Sequence, residues 1–296
     1  MADYGRELEF GVSVEPLADP PDWAARIAVA ADRAGLDLVG IQDHPYQRRF
    51  LDTWTLLATL VPVTGRIRLF PDVANLPLRP PAVLAKAAAS LDVLSGGRVE
   101  MGLGAGFFWD AIQAMDGPRR SPAEAVRSIE EAINVMRLVW SDERSLRFEG
   151  EIYSLRGMRP GPHPFHDIGI WVGAYGPRML ALIGRHADGW IPSYGNAPPE
   201  RIPEMQRRID GGAERAGREA AQIRRAYNLS GRIGEGGDGP LDGPISRWVE
   251  ELTRFALELG MDTFIYWPQD DHVRQVEVFA QEVAPAVRQA VAAERS

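Results

Sequence analysis

Glu9-Phe10-Gly11-Val12-Ser13-Val14 runs straight into Glu15-Pro16-Leu17-Ala18-Asp19-Pro20, and this junction separates two ways of winding strands and helices. The first six residues read as a buried strand. In a doubly wound open sheet, the turn after strand one carries a glycine fingerprint that lets a helix N-terminus approach a phosphate. Here that turn holds prolines and no glycine. Short apolar segments then alternate with longer amphipathic ones almost to the end of the chain. That pattern predicts a closed (β/α)8 barrel of one domain, residues 1–296.

Working outward, Trp23, Ile27, Ala30 and Ala34 make one apolar stripe on a helix over 21–34, closed by Gly35. Strand two is 36–41, with little polar content, as a buried parallel strand requires. A helix over 51–63, a strand over 66–70, a helix over 80–94 and a strand over 99–103 follow. Ser121-Pro122-Ala123-Glu124 is a capping box with proline at the first helical position. It opens a fourth long helix striped by Val126, Ile129, Ile133, Met136 and Val139. A small hairpin over 146–153, turning at Glu149-Gly150, is expected between helix four and strand five. Strand 168–172, helix 176–187, strand 190–191, helix 199–215 and strand 223–228 come next. The Gly-rich stretch 230–243 reads as a mobile loop. Helix 245–259, strand 263–266 and a last helix from Asp271 complete the pattern. Ala34-Gly35-Leu36-Asp37 and Leu259-Gly260-Met261-Asp262 are the same helix-to-strand joint used twice.

The 296 residues suit one barrel, with 45% hydrophobic and 25% charged residues in the ordinary globular range. Mean hydropathy is −0.21, and no apolar run approaches the about 18 residues a bilayer span needs, so a membrane role is not expected. Net charge is −8, and the arginines are interleaved with acids, so no nucleic-acid partner is expected. The absence of cysteine excludes disulfides, iron–sulfur clusters and thiolate zinc. The first residues lead into a strand without a charged-then-apolar leader, which predicts a cytoplasmic protein. A homodimer is the default expectation for such a chain.

In a barrel, chemistry sits at the C-terminal ends of strands and in the loops beyond them. That rule selects Glu15, Asp43-His44, Asp72-Val73, Gly104-Ala105-Gly106, Ala174-Tyr175-Gly176, Ser193-Tyr194 and Trp267. Of the five histidines only His44 ends a buried strand beside a carboxylate. It is a candidate general acid/base, or else a hydrogen-bonded rim residue. His163 and His166 have a His-X2-His spacing, but their Pro-rich loop offers no third ligand, and no metal is expected. Gly102-Leu103-Gly104-Ala105-Gly106 suits either a close ligand approach or a tight turn. Val172-Gly173-Ala174-Tyr175-Gly176-Pro177-Arg178 places glycines between a strand and a helix start, where free N–H groups and the helix dipole favour phosphate.

These residues carry a resemblance. Gln42-Asp43-His44, Arg66-Ile67-Arg68-Leu69, Val73-Ala74-Asn75, Arg79-Pro80-Pro81-Ala82-Val83-Leu84-Ala85, and Leu91-Asp92-Val93-Leu94-Ser95-Gly96-Gly97-Arg98-Val99 through Gly106 are similar to motifs of the bacterial luciferase-like flavin oxidoreductases. Gly176-Pro177-Arg178-Met179-Leu180 and Ala187-Asp188-Gly189-Trp190 extend the match into the second half. Within that superfamily the chain most resembles the branch that uses coenzyme F420, a deazaflavin. The resemblance implies an oxidoreductase that moves a hydride between deazaflavin and a small organic molecule. His44 would handle the proton and Asp43 would hydrogen-bond the cofactor. Asp72, Val73 and Ala74 would back its ring, with a cis Asp72–Val73 bond. Gly104, Ala105, Gly106, Ala174, Tyr175, Gly176 and Pro177 would line its side chain and phosphate. The alternatives are an FMN-dependent monooxygenase served by a separate flavin reductase, and a barrel that only binds a ligand. The glucose-6-phosphate dehydrogenases of the branch carry Trp and Glu where this chain has Arg48 and Phe107. Phe107, Phe108 and Trp109 point instead to an apolar substrate, or to a hydrophobic plug.

Overall fold

A computed structural model describes residues 3–296; Met1 and Ala2, the start of the expected 1–296 domain, lie outside the described residues. The strands are β1 (Glu9–Val14), β2 (Leu38–Ile41), β3 (Arg68–Pro71), β4 (Ala74–Asn75), β5 (Met101–Gly104), β6 (Leu146–Glu149), β7 (Ser154–Met158), β8 (Ile170–Gly173), β9 (Gly189–Trp190), β10 (Arg224–Gly231) and β11 (Thr263–Pro268). The helices are α1 (Trp23–Ala34), α2 (Thr53–Leu60), α3 (Pro81–Ser95), α4 (Trp109–Ala114), α5 (Pro122–Val139), α6 (Pro177–His186), α7 (Ile202–Arg215), α8 (Ile245–Leu259), α9 (His272–Val278) and α10 (Ala284–Arg295).

Nine strands form one parallel sheet in the order β3-β2-β1-β11-β10-β9-β8-β5-β4. β3 and β4 are the two halves of one strand bent at Asp72-Val73, which leaves eight barrel positions. Closure is made where Leu69 donates to the Arg98 carbonyl at 2.8 Å and Glu100 donates to the Leu69 carbonyl at 3.0 Å. The (β/α)8 barrel is therefore complete. Each helix covers its strand with an apolar stripe; α8, for example, buries Trp248, Leu252, Phe255, Ala256 and Leu259. Among the described residues no helix is long and apolar enough to cross a membrane.

Side chains alternate across the barrel wall, because successive strand residues point to opposite faces. Phe10, Val12 and Val14 of β1 face the helices with the main core, as do Phe264 and Tyr266 of β11. The barrel interior holds a separate apolar layer of Leu38, Phe70, Trp171, Ile191, Ala226 and Ile265. Two residues further along each strand, the same inner face carries Gly40, Asp72, Gly173, Ser193, Asn228 and Trp267. An apolar plug thus lies under a layer of small and polar side chains, and the second layer is the floor of the site.

Element bounds differ from the sequence reading in instructive places. The hairpin does not end at Tyr153: β6 and β7 carry it to Met158, with the turn across 150–153. Glu131 anchors that turn by accepting from the backbone N–H groups of Glu151, Ile152 and Tyr153, a long-range contact invisible in local pattern. The stretch 230–243 is tied rather than loose. Asp242 accepts from Arg232 N and Gly239 N, and the Gln275 side chain bonds both backbone groups of Ile233. The last helix is interrupted by a π-helical turn at Phe279–Val283. The capping box forms as read, with Ser121 and Glu124 exchanging hydrogen bonds. The Asp72–Val73 peptide is cis.

Candidate active site

All the candidate cofactor and catalytic residues meet at one cavity of about 670 Å³ at the C-terminal mouth of the barrel. His44, Asp43, Asp72, Val73, Ala74, Gly104, Ala105, Gly106, Ala174, Tyr175, Gly176 and Pro177 all line it. So do Tyr46, Asn75 and Asn228, which local sequence reading did not single out. Glu15 and Arg48 are exposed and stand outside the lining.

Asp43 follows β2 and its side chain is completely buried. Its Oδ2 accepts from Arg79 Nε at 2.7 Å and from Asn75 N at 2.9 Å, and its Oδ1 accepts from Arg79 Nη2 at 2.8 Å. Arg79 also reaches Asp52 Oδ2 at 2.7 Å. The carboxylate expected to bond the cofactor is thus engaged on both oxygens by the protein. Its work here is to fix Asn75 in β4 and the loop bearing Arg79.

His44 stands beside it, half-buried. Its Nδ1 shares a 2.5 Å hydrogen bond with the Tyr46 hydroxyl. Phe108 packs edge-on against His44 at 5.6 Å and lies 6.0 Å from Tyr46, so three rings form one wall of the cavity. Burial holds the imidazole below its ordinary 6.5, against the opposing pull of Asp43, so the ring is neutral at pH 7. Burial and Asp43 push the Tyr46 phenol up to about 12, which keeps its proton in place.

The floor is made by the bend in strand three. Glycines stand wherever a side chain would collide with it. A Cβ at Gly102 would lie 2.1 Å from the Pro71 carbonyl oxygen, and one at Gly104 would lie 2.8 Å from Val73 Cγ2. In β5, Gly102 thus makes room for the Pro71 carbonyl and Gly104 for Val73, while Gly106 just beyond takes a positive φ of 99° at the turn. Asp72 Oδ1 accepts from Asn228 Nδ2 at 3.2 Å, and Asn228 Oδ1 accepts from Trp267 Nε1 at 3.0 Å. Asp72 Oδ2 and Asn75 Oδ1 are buried with no partner among the described residues.

On the opposite side, α6 begins at Pro177 with Gly176 as a cap that has no side chain, and a Cβ there would meet nothing within 4 Å. The first-turn N–H groups and Arg178 therefore open onto the cavity. Phe107 and Phe108 stand at the rim, 69% and 50% exposed. The remaining four histidines lie elsewhere: His163 bonds the Pro164 carbonyl, His166 sits 3.0 Å from Asp92, His186 is 3.3 Å from Glu130, and His272 packs edge-on against Trp23.

Asn228 could have been read from the inner-face alternation, two residues beyond the interior Ala226, as Trp267, which the strand-end rule did select, stands two beyond Ile265. Tyr46 had a weaker signal, an aromatic two residues beyond His44 in the same loop.

The chain and its fold are similar to known proteins. The chain is 30% identical over 236 residues to an F420-dependent glucose-6-phosphate dehydrogenase of Kineococcus radiotolerans, covering 76% of this chain and 68% of that enzyme. The fold superposes on an F420-dependent secondary alcohol dehydrogenase, solved with an F420–acetone adduct, with a TM-score of 0.84 at 18% identity, covering 95% of this chain and 99% of the other. It also superposes on the oxygenating component of 3,6-diketocamphane monooxygenase from Pseudomonas putida, solved with FMN, with a TM-score of 0.77 at 19% identity, covering 95% and 98%. Residues 7–235 match the family of luciferase-like monooxygenases, and the chain, a closed (β/α)8 barrel, belongs to that family.

Proposed function

We propose that this protein is a coenzyme F420-dependent oxidoreductase that moves a hydride between the deazaflavin and an apolar or aromatic organic substrate. The observation that carries this reading is the His44–Tyr46 pair, set at the cavity wall beside a floor with two unpartnered buried oxygens. The residues present suit a flat, polar-edged ring: the floor offers Asp72 Oδ2 and Asn75 Oδ1, glycines let Val73 project into the floor of the cavity, and the α6 N-terminus with Arg178 suits a phosphate. When bound, the deazaflavin supplies or takes the hydride.

The chain supplies the accompanying proton. Neutral His44 exists in two tautomers, and the Tyr46 hydroxyl fits both because it rotates. With Tyr46 donating to Nδ1, the imidazole proton is on Nε2, available to a substrate that gains hydride. With Tyr46 accepting from Nδ1–H, Nε2 carries a lone pair that takes a proton from a substrate that loses hydride. Asp43 and Arg79 hold the loop, and Phe108 excludes water from one side of the imidazole.

Two features support an apolar substrate. Phe107 and Phe108 expose large phenyl surfaces at the mouth, as binding clefts do. The position that carries Glu in the sugar-phosphate dehydrogenases of the resembled branch is Phe107, so nothing there replaces that polar contact.

Equilibrium titration with coenzyme F420 and with FMN, each oxidised and reduced, tests the reading. Low-micromolar binding of F420 with much weaker binding of FMN is expected. Tight FMN binding without F420 binding replaces it with the FMN monooxygenase, for which the FMN-bound fold relative is the specific support. Binding of neither leaves a ligand-binding barrel.

A further inference from the structure

Asp72 brings together observations that the proton chemistry of His44 does not use. Its side chain enters the barrel just above the apolar layer at Phe70, facing the cavity. From the far wall, Trp267 Nε1 donates to Asn228 Oδ1 at 3.0 Å and Asn228 Nδ2 donates to Asp72 Oδ1 at 3.2 Å. This chain crosses the barrel and pins one carboxyl oxygen. The other, Oδ2, is buried without a hydrogen bond of ordinary geometry, and the Ser13 hydroxyl, itself without another partner among the described residues, faces the carboxyl. A buried carboxylate oxygen without a donor is costly, whereas the hydroxyl of a neutral carboxylic acid there is a donor aimed at whatever fills the cavity.

Resting on the deazaflavin reading, we propose that Asp72 selects the redox state of the bound cofactor: as a neutral acid it offers its Oδ2 proton to an acceptor of the ring, and as a carboxylate it repels the electron-rich reduced ring. Hydride addition brings two electrons and one proton to the ring, so a reduced ring that has not taken up a second proton carries one negative charge more than the oxidised form and suffers more from a facing carboxylate.

The surroundings leave Asp72 free to change charge. Ser13 from β1, Gly40 from β2 and Asn228 from β10 face it, and none is charged. The other ionisable groups that line the cavity are Asp43, bound to Arg79, and His44, Tyr46, Tyr175 and Arg178. Burial pushes the Asp72 carboxyl from 3.8 up to about 6, with Asn228 and Ser13 pulling it back. The sign follows. Below about pH 6 Asp72 is neutral and the reduced cofactor is accepted. Above it the carboxylate opposes the reduced form, and by linkage the reduced form takes up a proton when it binds.

The test has two readouts. Carbon-13 NMR of side-chain carboxyls in the ligand-free protein follows Asp72 directly, with Asp72→Asn to assign the signal. Anaerobic titrations of reduced and oxidised F420 across pH, for the wild type and Asp72→Asn, follow selection. A resonance titrating near 6 is expected. The affinity for reduced F420 relative to oxidised is expected to fall about tenfold through that midpoint in the wild type, and to stay flat in Asp72→Asn. Titration of Asp72 near 4, a flat wild-type ratio, or an unchanged slope in Asp72→Asn overturns the assignment. Where Asp72→Asn does not fold, Asp72→Ser serves as the uncharged variant for both the assignment and the slope. Failure of the wild type to bind either redox form at any pH overturns the deazaflavin reading, and this assignment with it. Binding without the redox-dependent slope overturns the assignment alone.

Discussion

At the N-terminal end of the strands, Glu9 is bridged by Arg68 at 2.6 Å and Arg224 at 3.1 Å, Arg68 continues to Glu100, and Arg224 continues to Asp262. Asp92, fully buried at that end, accepts from the backbone of Val99, Phe165 and His166. At the C-terminal end, by contrast, Asp72 Oδ2 and Asn75 Oδ1 are left unpartnered and two phenylalanines are exposed. The same barrel wall, with the same alternation, is closed by ion pairs below and left chemically open above. Unpartnered buried polar atoms occur at both ends, Arg6 Nε and the His166 ring nitrogens among them below. Among the described residues, however, only those of Asp72 and Asn75 belong to the lining of a cavity, which marks the upper end as the one built to receive something else.

The comparison can be broken at either end. The largest expected effect lies below: Asp92→Ala strips three backbone N–H groups of their acceptor and should cost about 3 kcal/mol or more of folding stability in a urea titration. Cofactor affinity per folded molecule should stay as it is. A matching loss of affinity would mean that the lower end is coupled to the site.

Arg79→Ala acts at the upper end, behind the floor of the site. It leaves the buried Asp43 without its cation, and should lose about 1.5–3 kcal/mol while also weakening cofactor binding, because Asn75 is held through Asp43. Stability lost with affinity intact would detach Asp43 from the floor. Tyr46→Phe keeps the contact with Phe108 but removes the hydroxyl on His44 Nδ1, and should slow turnover about three- to tenfold with stability nearly unchanged. A rate equal to the wild type would show that the tautomer switch is unnecessary.

The smallest effect is one of pH. In the direction in which His44 accepts a proton, the acid limb of the turnover profile should fall below 6.5, because burial favours the neutral ring. A limb above 6.5 would show that the charged form is favoured instead.

Much of the framework was legible in the chain. β1 over Glu9–Val14 and α8 over Ile245–Leu259 have the bounds their residues suggest, because each is a strong, self-contained periodic pattern. The joints at Gly35 and Gly260 have the positive φ their glycines suggest. What was not legible is contact across the barrel. Asn228 and Asp72 are 156 positions apart, and no local pattern ties them. The same holds for Asp43, whose neighbour in sequence is His44 but whose carboxylate belongs to Arg79, 36 positions on. Residue types pointed to the site, and three-dimensional partners decided what each one does in it.

The central claim is that His44 moves a proton at the open end and does not merely brace it. Turnover and cofactor affinity of His44→Ala, measured side by side against the wild type, test this most directly. If His44 carries the proton, turnover falls about 10²–10⁴-fold with cofactor affinity nearly unchanged. A loss of affinity equal to the loss of rate, or turnover close to that of the wild type, would contradict it.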